Sequence, residues 1–135
     1  MKKLMMIMVA ATMMMASCSK ESKLNKKLDG SWNLVSMSEN GVDQPMTGMT
    51  MVMAFVKDKK GVGTYTQTFT ITGFPASVET GTYALTDDTS ISITKLTPTA
   101  GTASSVTVTD YSKTDMTLTD TDANGIVSVM KLKKI

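Results

Sequence analysis

Few side chains in this sequence could carry out covalent or acid–base chemistry. The 135 residues contain no His and one Cys, and every basic residue is Lys. A nucleophile therefore has no imidazole to activate it, and only a carboxylate or an amine is left to act as the base. The Asp residues fall in or beside segments that resemble turns or a tether, where solvated surface is the ordinary state. We therefore expect a protein without enzymatic activity and without a cofactor.

The acidic segment most similar to a metal site runs from Asp120 to Gly125 and has the pattern D-x-D-x-N-G. In calcium loops this spacing lets side-chain oxygens converge while the Gly turns the backbone. The twelfth position of such a loop, which needs a bidentate Glu, is Lys131 here. The flanking residues also have the pattern of strands and not of helices. A hairpin turn explains the segment better, and we expect no metal site.

The lone Cys follows a short apolar run at the N-terminus. Two lysines precede the run at 4–16, which is shorter than the roughly 20 residues that a membrane-spanning helix needs. This arrangement is typical of a secretory signal peptide. The sequence Ala16-Ser17-Cys18 resembles the bacterial lipobox, in which the chain is cut just before a Cys that carries a diacylglyceryl group. The resemblance implies a signal peptide at 1–17 and acyl chains, palmitate among them, on Cys18. An ordinary signal peptide with an unmodified Cys is the alternative.

The sequence divides the rest of the chain into a tether and one domain. Residues 18–27 carry the lipidated Cys and polar side chains, and residues 28–135 form the domain. Ser19 follows the Cys where an Asp would signal retention in the inner membrane. The resemblance thus implies a lipid anchor in the bacterial envelope, in the outer membrane more than the inner, on the periplasmic or the surface face. Loss of 1–17 leaves Lys balanced by Asp and Glu, so we expect no nucleic-acid partner.

The domain has the alternation of β-strands. Thr occupies every even position from 64 to 72, while Tyr65, Phe69 and Ile71 lie at odd positions. A period of two predicts a strand with one wet face and one apolar face. We predict eight strands separated by turn residues, near 31–38, 49–57, 62–72, 79–86, 89–96, 104–111, 115–120 and 126–134. Such a series predicts an all-β antiparallel meander that closes into a small up-and-down barrel, or a flattened barrel or sandwich.

Three segments resemble one known family. Gly30-Ser31-Trp32 resembles the G-x-W opening of lipocalins, and Gly81–Leu85 and Met130–Lys134 resemble the lipocalin-like (calycin-like) lipoprotein domains of Bacteroidota. Lipocalins usually pack an Arg over the Trp, and this chain has no Arg. The resemblance implies that Lys131 or Lys133 takes that place. It also implies a binding fold with one interior cavity.

The alternation further predicts which side chains face the interior. They are Trp32, Tyr65, Phe69, Tyr83, Leu85, Ile91, Ile93, Val106, Val108, Met116, Leu118, Met130 and Leu132. These residues either line a ligand cavity or fill the core, because eight strands enclose just enough space for side chains or for one small ligand. The short strands and large side chains favour a mostly filled interior.

Two functions remain open at this point. The barrel binds a small apolar or amphipathic ligand, or it is filled and serves as a protein-interaction module, such as an inhibitor or an accessory subunit of an envelope complex. A cavity open at one end would favour the first function. An exposed apolar patch on a plugged barrel would favour the second.

Overall fold

The computed structural model describes residues 23–59 and 61–135. Cys18, the predicted signal peptide and the first part of the predicted tether lie outside these residues. A short helix, α1, spans residues 23–28. The strands are β1 (Gly30–Glu39), β2 (Val42–Asp43), β3 (Met49–Lys57), β4 (Val62–Ile71), β5 (Ser77–Leu85), β6 (Ser90–Thr97), β7 (Ser104–Thr109), β8 (Asp115–Thr121) and β9 (Val127–Lys134).

Eight of the strands close into an antiparallel barrel. Strands β3 to β9 pair in sequence order, β1 pairs with β3, and pairing of β1 with β9 completes the barrel. The two-residue β2 pairs with the end of β1 and lengthens a hairpin beside the barrel. Closure leaves the eight long strands without a free edge. The predicted eight-stranded meander is confirmed in its closed form.

The barrel has two ends, which we call the base and the mouth. The base contains α1, the start of β1, the end of β9 and the turns β3–β4, β5–β6 and β7–β8. The mouth contains the β1–β2 hairpin and the turns β4–β5, β6–β7 and β8–β9. Asn40 and Gly41 adopt φ angles of 49° and 80°, as a tight two-residue hairpin turn requires. At the base, β7 ends two residues before its predicted end, because Asp110 takes a φ of 51°.

The methionine-rich strand β3 contributes three interior residues that the sequence did not assign to the interior. Met51, Met53 and Phe55 face the lumen and are at most 5% exposed. Their outward neighbours Val52 and Ala54 are half-buried. Because Met alternates here with Val and Ala, the segment has no clear polar face. The alternation therefore could not show which residues point inward.

Two glycines on neighbouring strands make room for two tyrosine rings. Gly63 pairs with Tyr83 across β4 and β5, and Tyr65 pairs with Gly81. A Cβ atom at Gly63 would lie 2.3 Å from the Val56 carbonyl oxygen and 2.6 Å from the Tyr83 ring. A Cβ atom at Gly81 would lie 2.2 Å from the Thr94 carbonyl oxygen and 2.5 Å from the Tyr65 ring. Each glycine thus lets neighbouring backbone and an aromatic ring come close, a device that closed sheets use where they bend.

We predict that Gly63→Ala and Gly81→Ala each destabilise the barrel. The added methyl group has no space, and overpacking of this kind costs about 1–3 kcal/mol in the free energy of unfolding. Gly101→Ala is the matched control, because its nearest neighbour, Lys95 Cβ, lies at an ordinary 3.6 Å. Urea unfolding monitored by circular dichroism measures the three changes. Equal effects at Gly63 and Gly101 would show that the close approach does not govern stability.

Candidate functional site

The structure distributes the predicted interior residues between a buried set and a half-buried set. The buried set comprises Trp32, Tyr65, Tyr83, Ile91, Val106, Val108, Met116, Leu118 and Leu132. The half-buried set comprises Phe69, Leu85, Ile93 and Met130, all packed against the core. The buried rings lie toward the base, whereas Phe69 and Met130 lie toward the mouth; Ile93 pairs with Tyr83, and Leu85 is at the base end of β5. The lumen therefore has a filled half and a more open half.

Aromatic rings fill the base half. Trp32, Phe55 and Tyr83 are each at most 2% exposed. The Phe55 and Tyr83 rings meet edge to face, with centroids 5.5 Å apart and planes at 82°. The Phe55 and Tyr65 rings lie 6.5 Å apart. Rings in this geometry add attraction beyond the area that they bury. The base half is therefore a packed core and offers little space to a ligand.

Helix α1 closes the base and forms a floor under these rings. Leu24 and Leu28 are fully buried. Trp32 Nε1 donates a hydrogen bond of 2.8 Å to the Leu28 carbonyl oxygen. The buried Asn25 accepts a 2.7 Å hydrogen bond from the Tyr83 hydroxyl and donates one of 3.2 Å to the Lys59 carbonyl. Within residues 23–59 and 61–135, every buried side-chain nitrogen and oxygen has a hydrogen-bond partner.

Part of the segment that the sequence assigned to the tether thus belongs to the packed domain. Leu24 and Asn25 fall within 18–27, the range predicted to be a polar tether, yet both side chains lie in the floor. The signal was the spacing of Leu24 and Leu28, four residues apart, which places two apolar side chains on one face of a helix. This spacing predicts one short turn before the first strand, but not that the turn closes the barrel.

A lysine covers Trp32, and it is not one of the two that the sequence proposed. Lys134 Nζ lies 5.2 Å from the centre of the Trp32 ring and donates a 2.7 Å hydrogen bond to the Asp29 carbonyl. Lys131 and Lys133 are exposed on the outside of the barrel, so the expectation for these two residues is wrong. Along β9 the inward residues are the even-numbered ones, and Lys134 has the same parity as Leu132. A cation over an indole face is attracted by the ring quadrupole.

A polar network lies in the lumen above the filled half. The Tyr65 hydroxyl donates a 2.8 Å hydrogen bond to Glu79, and Lys95 Nζ lies 2.9 Å from the other Glu79 oxygen. The Lys95 and Glu79 side chains are 37% and 29% exposed. Gln67 pairs with Glu79 across β4 and β5. Burial, together with the hydrogen bond to Glu79, raises the pKa of Tyr65, so its hydroxyl remains a donor at neutral pH.

The network was absent from the sequence prediction, although alternation places its members inward. Glu79 has the parity of Gly81 and Tyr83 on β5, and Lys95 has the parity of Ile91 and Ile93 on β6. A register shift between Thr80 and Gly81 breaks the β5–β6 ladder just beyond the Gly81–Lys95 pair. Charged residues are rarely buried, so Glu79 and Lys95 were not predicted to face the interior, although their parity places them there.

Flexible apolar side chains also line the mouth half of the lumen. Met37, Met46, Phe69 and Met130 are half-buried and pack against the upper edge of the core. Methionine adapts its shape to irregular contacts because its side chain is unbranched and its sulfur is polarisable. The mouth half therefore combines a compact set of hydrogen-bonding groups with an adaptable apolar wall. This combination is typical of sites for small amphipathic molecules.

The structure also has two cavities on the outer wall. One, of about 310 Å³, is lined mainly by outward hydroxyl and small side chains of β4, β5 and β6, including Thr64, Thr82 and Thr94. The other, of about 210 Å³, lies beside β8 and β9 and includes Val35, which bulges out of β1. Neither brings a hydrogen-bonding network together with an apolar wall, as the mouth does.

The acidic segment at 120–125 forms a turn between β8 and β9. One Asp122 carboxylate oxygen accepts hydrogen bonds from the backbone N–H groups of Asn124 and Ile126, at 2.8 and 2.9 Å. Asp122 therefore stabilises its own turn, as Asp commonly does. In the part of the chain that the structure describes, no group of three or more Cys, Asp or Glu side chains is arranged to hold a metal ion. No helix within those same residues is long and apolar enough to cross a membrane.

The fold agrees with comparisons with known proteins. The sequence profile of the lipocalin-like domain matches residues 28–125, and the chain belongs to this family. A search of curated proteins finds no match. Among solved structures, the chain is similar to the redesigned β-barrel b11L5F_LGL, with a TM-score of 0.61 and 14% identity over 83% of this chain and 95% of the other.

Barrels with a bound compound are also similar. The redesigned β-barrel mFAP1, bound to DFHBI, has a TM-score of 0.57 and 17% identity over 84% of this chain and 100% of the other. EF1p2_mFAP2b, also bound to DFHBI, has a TM-score of 0.56 and 15% identity over 85% of this chain and 99% of the other. At these identities the likeness shows the fold alone.

We predict that the floor makes the stability of the barrel sensitive to alkaline pH. Burial, and next the charge of Asp29, raises the pKa of Tyr83 to about 12. The folded chain holds this proton after the unfolded chain has released it, so the free energy of unfolding falls as pH rises from about 10 to 12. Tyr83→Phe is less stable at neutral pH, because Asn25 loses its hydrogen-bond donor. Its free energy of unfolding also lacks the decrease between pH 10 and 12 that Tyr83 causes.

The measurement is urea unfolding of both chains at several pH values between 8 and 12. All other groups, Tyr65 included, are the same in both chains, so their contribution cancels in the difference between them. A parallel decline of the two chains above pH 10 would contradict the assignment.

Proposed function

We propose that this chain is a bacterial envelope lipoprotein whose barrel binds one small amphipathic molecule in the mouth half of the lumen, without catalysing a reaction. The observation that supports the binding proposal is the network of the buried Tyr65 with the half-buried Glu79 and Lys95, in a lumen that also carries an apolar wall. The floor blocks the base, so the ligand enters from the mouth. The network supplies donors and an acceptor for a polar group, while Phe69 and the methionines contact the apolar part.

The filled base limits the size of the ligand. A barrel strand of 8 to 10 residues rises about 3.3 Å per residue, so the unfilled half offers a depth of roughly 10–15 Å. An extended long acyl chain would have to displace Phe55 and Tyr83, which are packed edge to face. The ligand is therefore short, of the size of a ring system or a medium-chain amphiphile. The similar barrel mFAP1 is bound to the small compound DFHBI, which supports the view that such a fold can hold a ligand of this size.

The envelope assignment rests on the sequence of the N-terminus. Ala16-Ser17-Cys18 after a short apolar run supports cleavage before Cys18 and acylation of its thiol. Two or more acyl chains give stable anchoring, whereas one gives marginal binding. Ser19 favours the outer membrane over the inner. The absence of His and Arg from the sequence, and the involvement of the lumen carboxylate in an ion pair, favour a binding role over catalysis.

A protein-interaction module remains the second candidate, and one surface feature favours it. Large apolar side chains are exposed around the rim of the mouth, among them Val42, Phe74, Val78 and Leu96, which are 49–70% exposed. Contiguous exposed apolar surface commonly marks a contact with another protein. In this case the rim, and not the lumen, would carry the function.

A probe titration separates the two functions. The environment-sensitive dye anilinonaphthalene sulfonate is titrated into the full chain, and we expect saturation near one site. Met130→Trp fills the mouth of the lumen and is expected to weaken binding about tenfold or more, equivalent to about 1.4 kcal/mol. Val78→Trp adds the same ring to the outer rim and retains the affinity of the unmodified chain. Circular dichroism shows that both variants are folded.

Two results would contradict lumen binding. One is the absence of saturable fluorescence with the unmodified chain. The other is binding that survives Met130→Trp but is lost in Phe74→Ser, which would place the dye on the rim and favour the second candidate.

A further inference from the structure

The charged side chains are unevenly distributed along the barrel axis. Among the described residues, every lysine except Lys95 and Lys131 lies at the base. The mouth rim carries Glu39, Asp43, Asp120 and Asp122 and, within residues 23–59 and 61–135, no lysine. The chain as a whole is nearly neutral, so this separation gives the barrel a basic end and an acidic end. Such a distribution orients a molecule in the field of a charged surface.

Exposed lysines concentrate where the chain enters the barrel. We call them the base lysine cluster, and they are Lys23, Lys26, Lys57, Lys59 and Lys133. Contacts of the floor bring these segments together. The Lys57 N–H donates to the Asp29 carboxylate, Asn25 donates to the Lys59 carbonyl, and Lys134, next to Lys133, donates to the Asp29 carbonyl.

The described part of the base carries eight lysines and six acidic side chains, so an excess of positive charge remains; the acids are Asp29, Asp58, Asp87, Asp88, Asp110 and Asp115. Asp29 lies within it, but one of its carboxylate oxygens is already hydrogen-bonded to backbone. Asp58 is the exposed acid beside Lys57 and Lys59. Asp87 and Asp88 lie in the β5–β6 turn, where one Asp87 oxygen accepts hydrogen bonds from Thr89. Asp115 pairs with Lys133 across β8 and β9. The surface beside the chain entry therefore keeps an excess of positive charge.

The segment between Cys18 and α1 is short, so the proposed anchor lies close to the base of the barrel. Cys18 precedes Lys23 by five residues. Even a fully extended segment of this length spans at most about 18 Å. An acylated Cys18 in a bilayer would thus hold the base near the headgroups, within reach of the electrostatic attraction that acts over about 8–10 Å from the surface.

We propose that the base lysine cluster docks on an anionic bilayer surface, so that the barrel stands base-down with its mouth facing away from the membrane. This inference rests on the anchor proposed above. Lysines near a membrane are attracted by anionic headgroups. A zwitterionic bilayer has no net charge to attract them, so docking depends on lipid composition. The acidic mouth is held away from the same surface. The ligand then reaches the lumen from the aqueous side and not from the hydrocarbon core.

Energy transfer to the membrane measures the orientation. The lipidated full-length protein is reconstituted into phosphatidylcholine vesicles with or without phosphatidylglycerol. Because Cys18 is the only Cys and carries the lipid, one introduced Cys receives the donor dye, either Asn33→Cys near the base or Ala123→Cys at the mouth. The acceptor dye is on a lipid headgroup. We expect the base-to-mouth ratio of transfer to be at least about twofold higher in the anionic vesicles, and about 0.5 M salt to abolish that increase.

Charge-matched variants test the surface. Lys26→Gln/Lys133→Gln removes two positive charges from the base, and Ala76→Glu/Thr99→Glu makes the same net change at two exposed positions of the mouth loops. We expect the first pair to abolish the increase caused by phosphatidylglycerol and the second pair to retain it. Equal ratios in both vesicle types, a mouth label nearer to the membrane than the base label, or equal effects of the two pairs would each overturn the proposal.

The mass of the reconstituted chain separates this inference from the anchor on which it rests. If Cys18 carries no acyl group, the anchor fails. Co-sedimentation of the same chain with the two vesicle types then tests the docking surface alone. Binding to anionic vesicles that is lost in Lys26→Gln/Lys133→Gln would support docking, and failure to bind would overturn it.

Discussion

The space enclosed by eight short strands is the constraint on which the rest of the structure depends. Such a barrel has room for side chains or for one small ligand, but not for both along its whole length. In this chain, one half of the barrel is filled by side chains and the other half is not. Rings of Trp32, Phe55 and Tyr83 occupy the base half, and smaller or more flexible side chains line the mouth half. Gly63 and Gly81 permit this division, because any side chain there would collide with backbone and with a tyrosine ring.

The floor links the barrel to the chain that precedes it. Trp32, Tyr83 and Lys134 each bond to a residue of α1 or to Asp29 just after it. The start and the end of the described domain thus meet at the base, where β1 and β9 also close the barrel. If Cys18 carries the anchor, the tether leads directly into the packed core without a long flexible linker. The anchor, the floor and the start of the β1–β9 pairing then lie at one end of the barrel, and the proposed ligand entrance lies at the other.

Sequence reasoning predicted the strands because their alternation is long and regular. Even-numbered Thr residues on β4 face outward, and the Asn-Gly pair forms the turn expected of it. It placed residues 18–27 in the tether, although the spacing of Leu24 and Leu28 allows one short helical turn before β1. It also chose Lys131 and Lys133 to cover Trp32, although the alternation that placed Met130 and Leu132 inward puts Lys134 inward as well. Lys131 and Lys133 have the opposite parity and point outward.

The candidate site was harder to predict than the fold for a physical reason. Glu79 and Lys95 face the lumen as an ion pair, and each has a partner only because β5 and β6 bring them together. A sequence shows the parity of a strand but not the partner across it. Charged residues at inward positions therefore suggested an outward face, and the polar half of the lumen stayed hidden until the strands were paired.

Solvent access to Trp32 tests the central claim, a base closed by α1, most directly. The chain has a single Trp, so its emission and its quenching by acrylamide report on the floor alone. We expect blue-shifted emission and weak quenching in the folded protein, and stronger quenching in Leu28→Ser, which opens the floor while circular dichroism still shows the barrel. Emission from the folded, unmodified protein like that of free indole in water would contradict the closed base and the division of the lumen built on it.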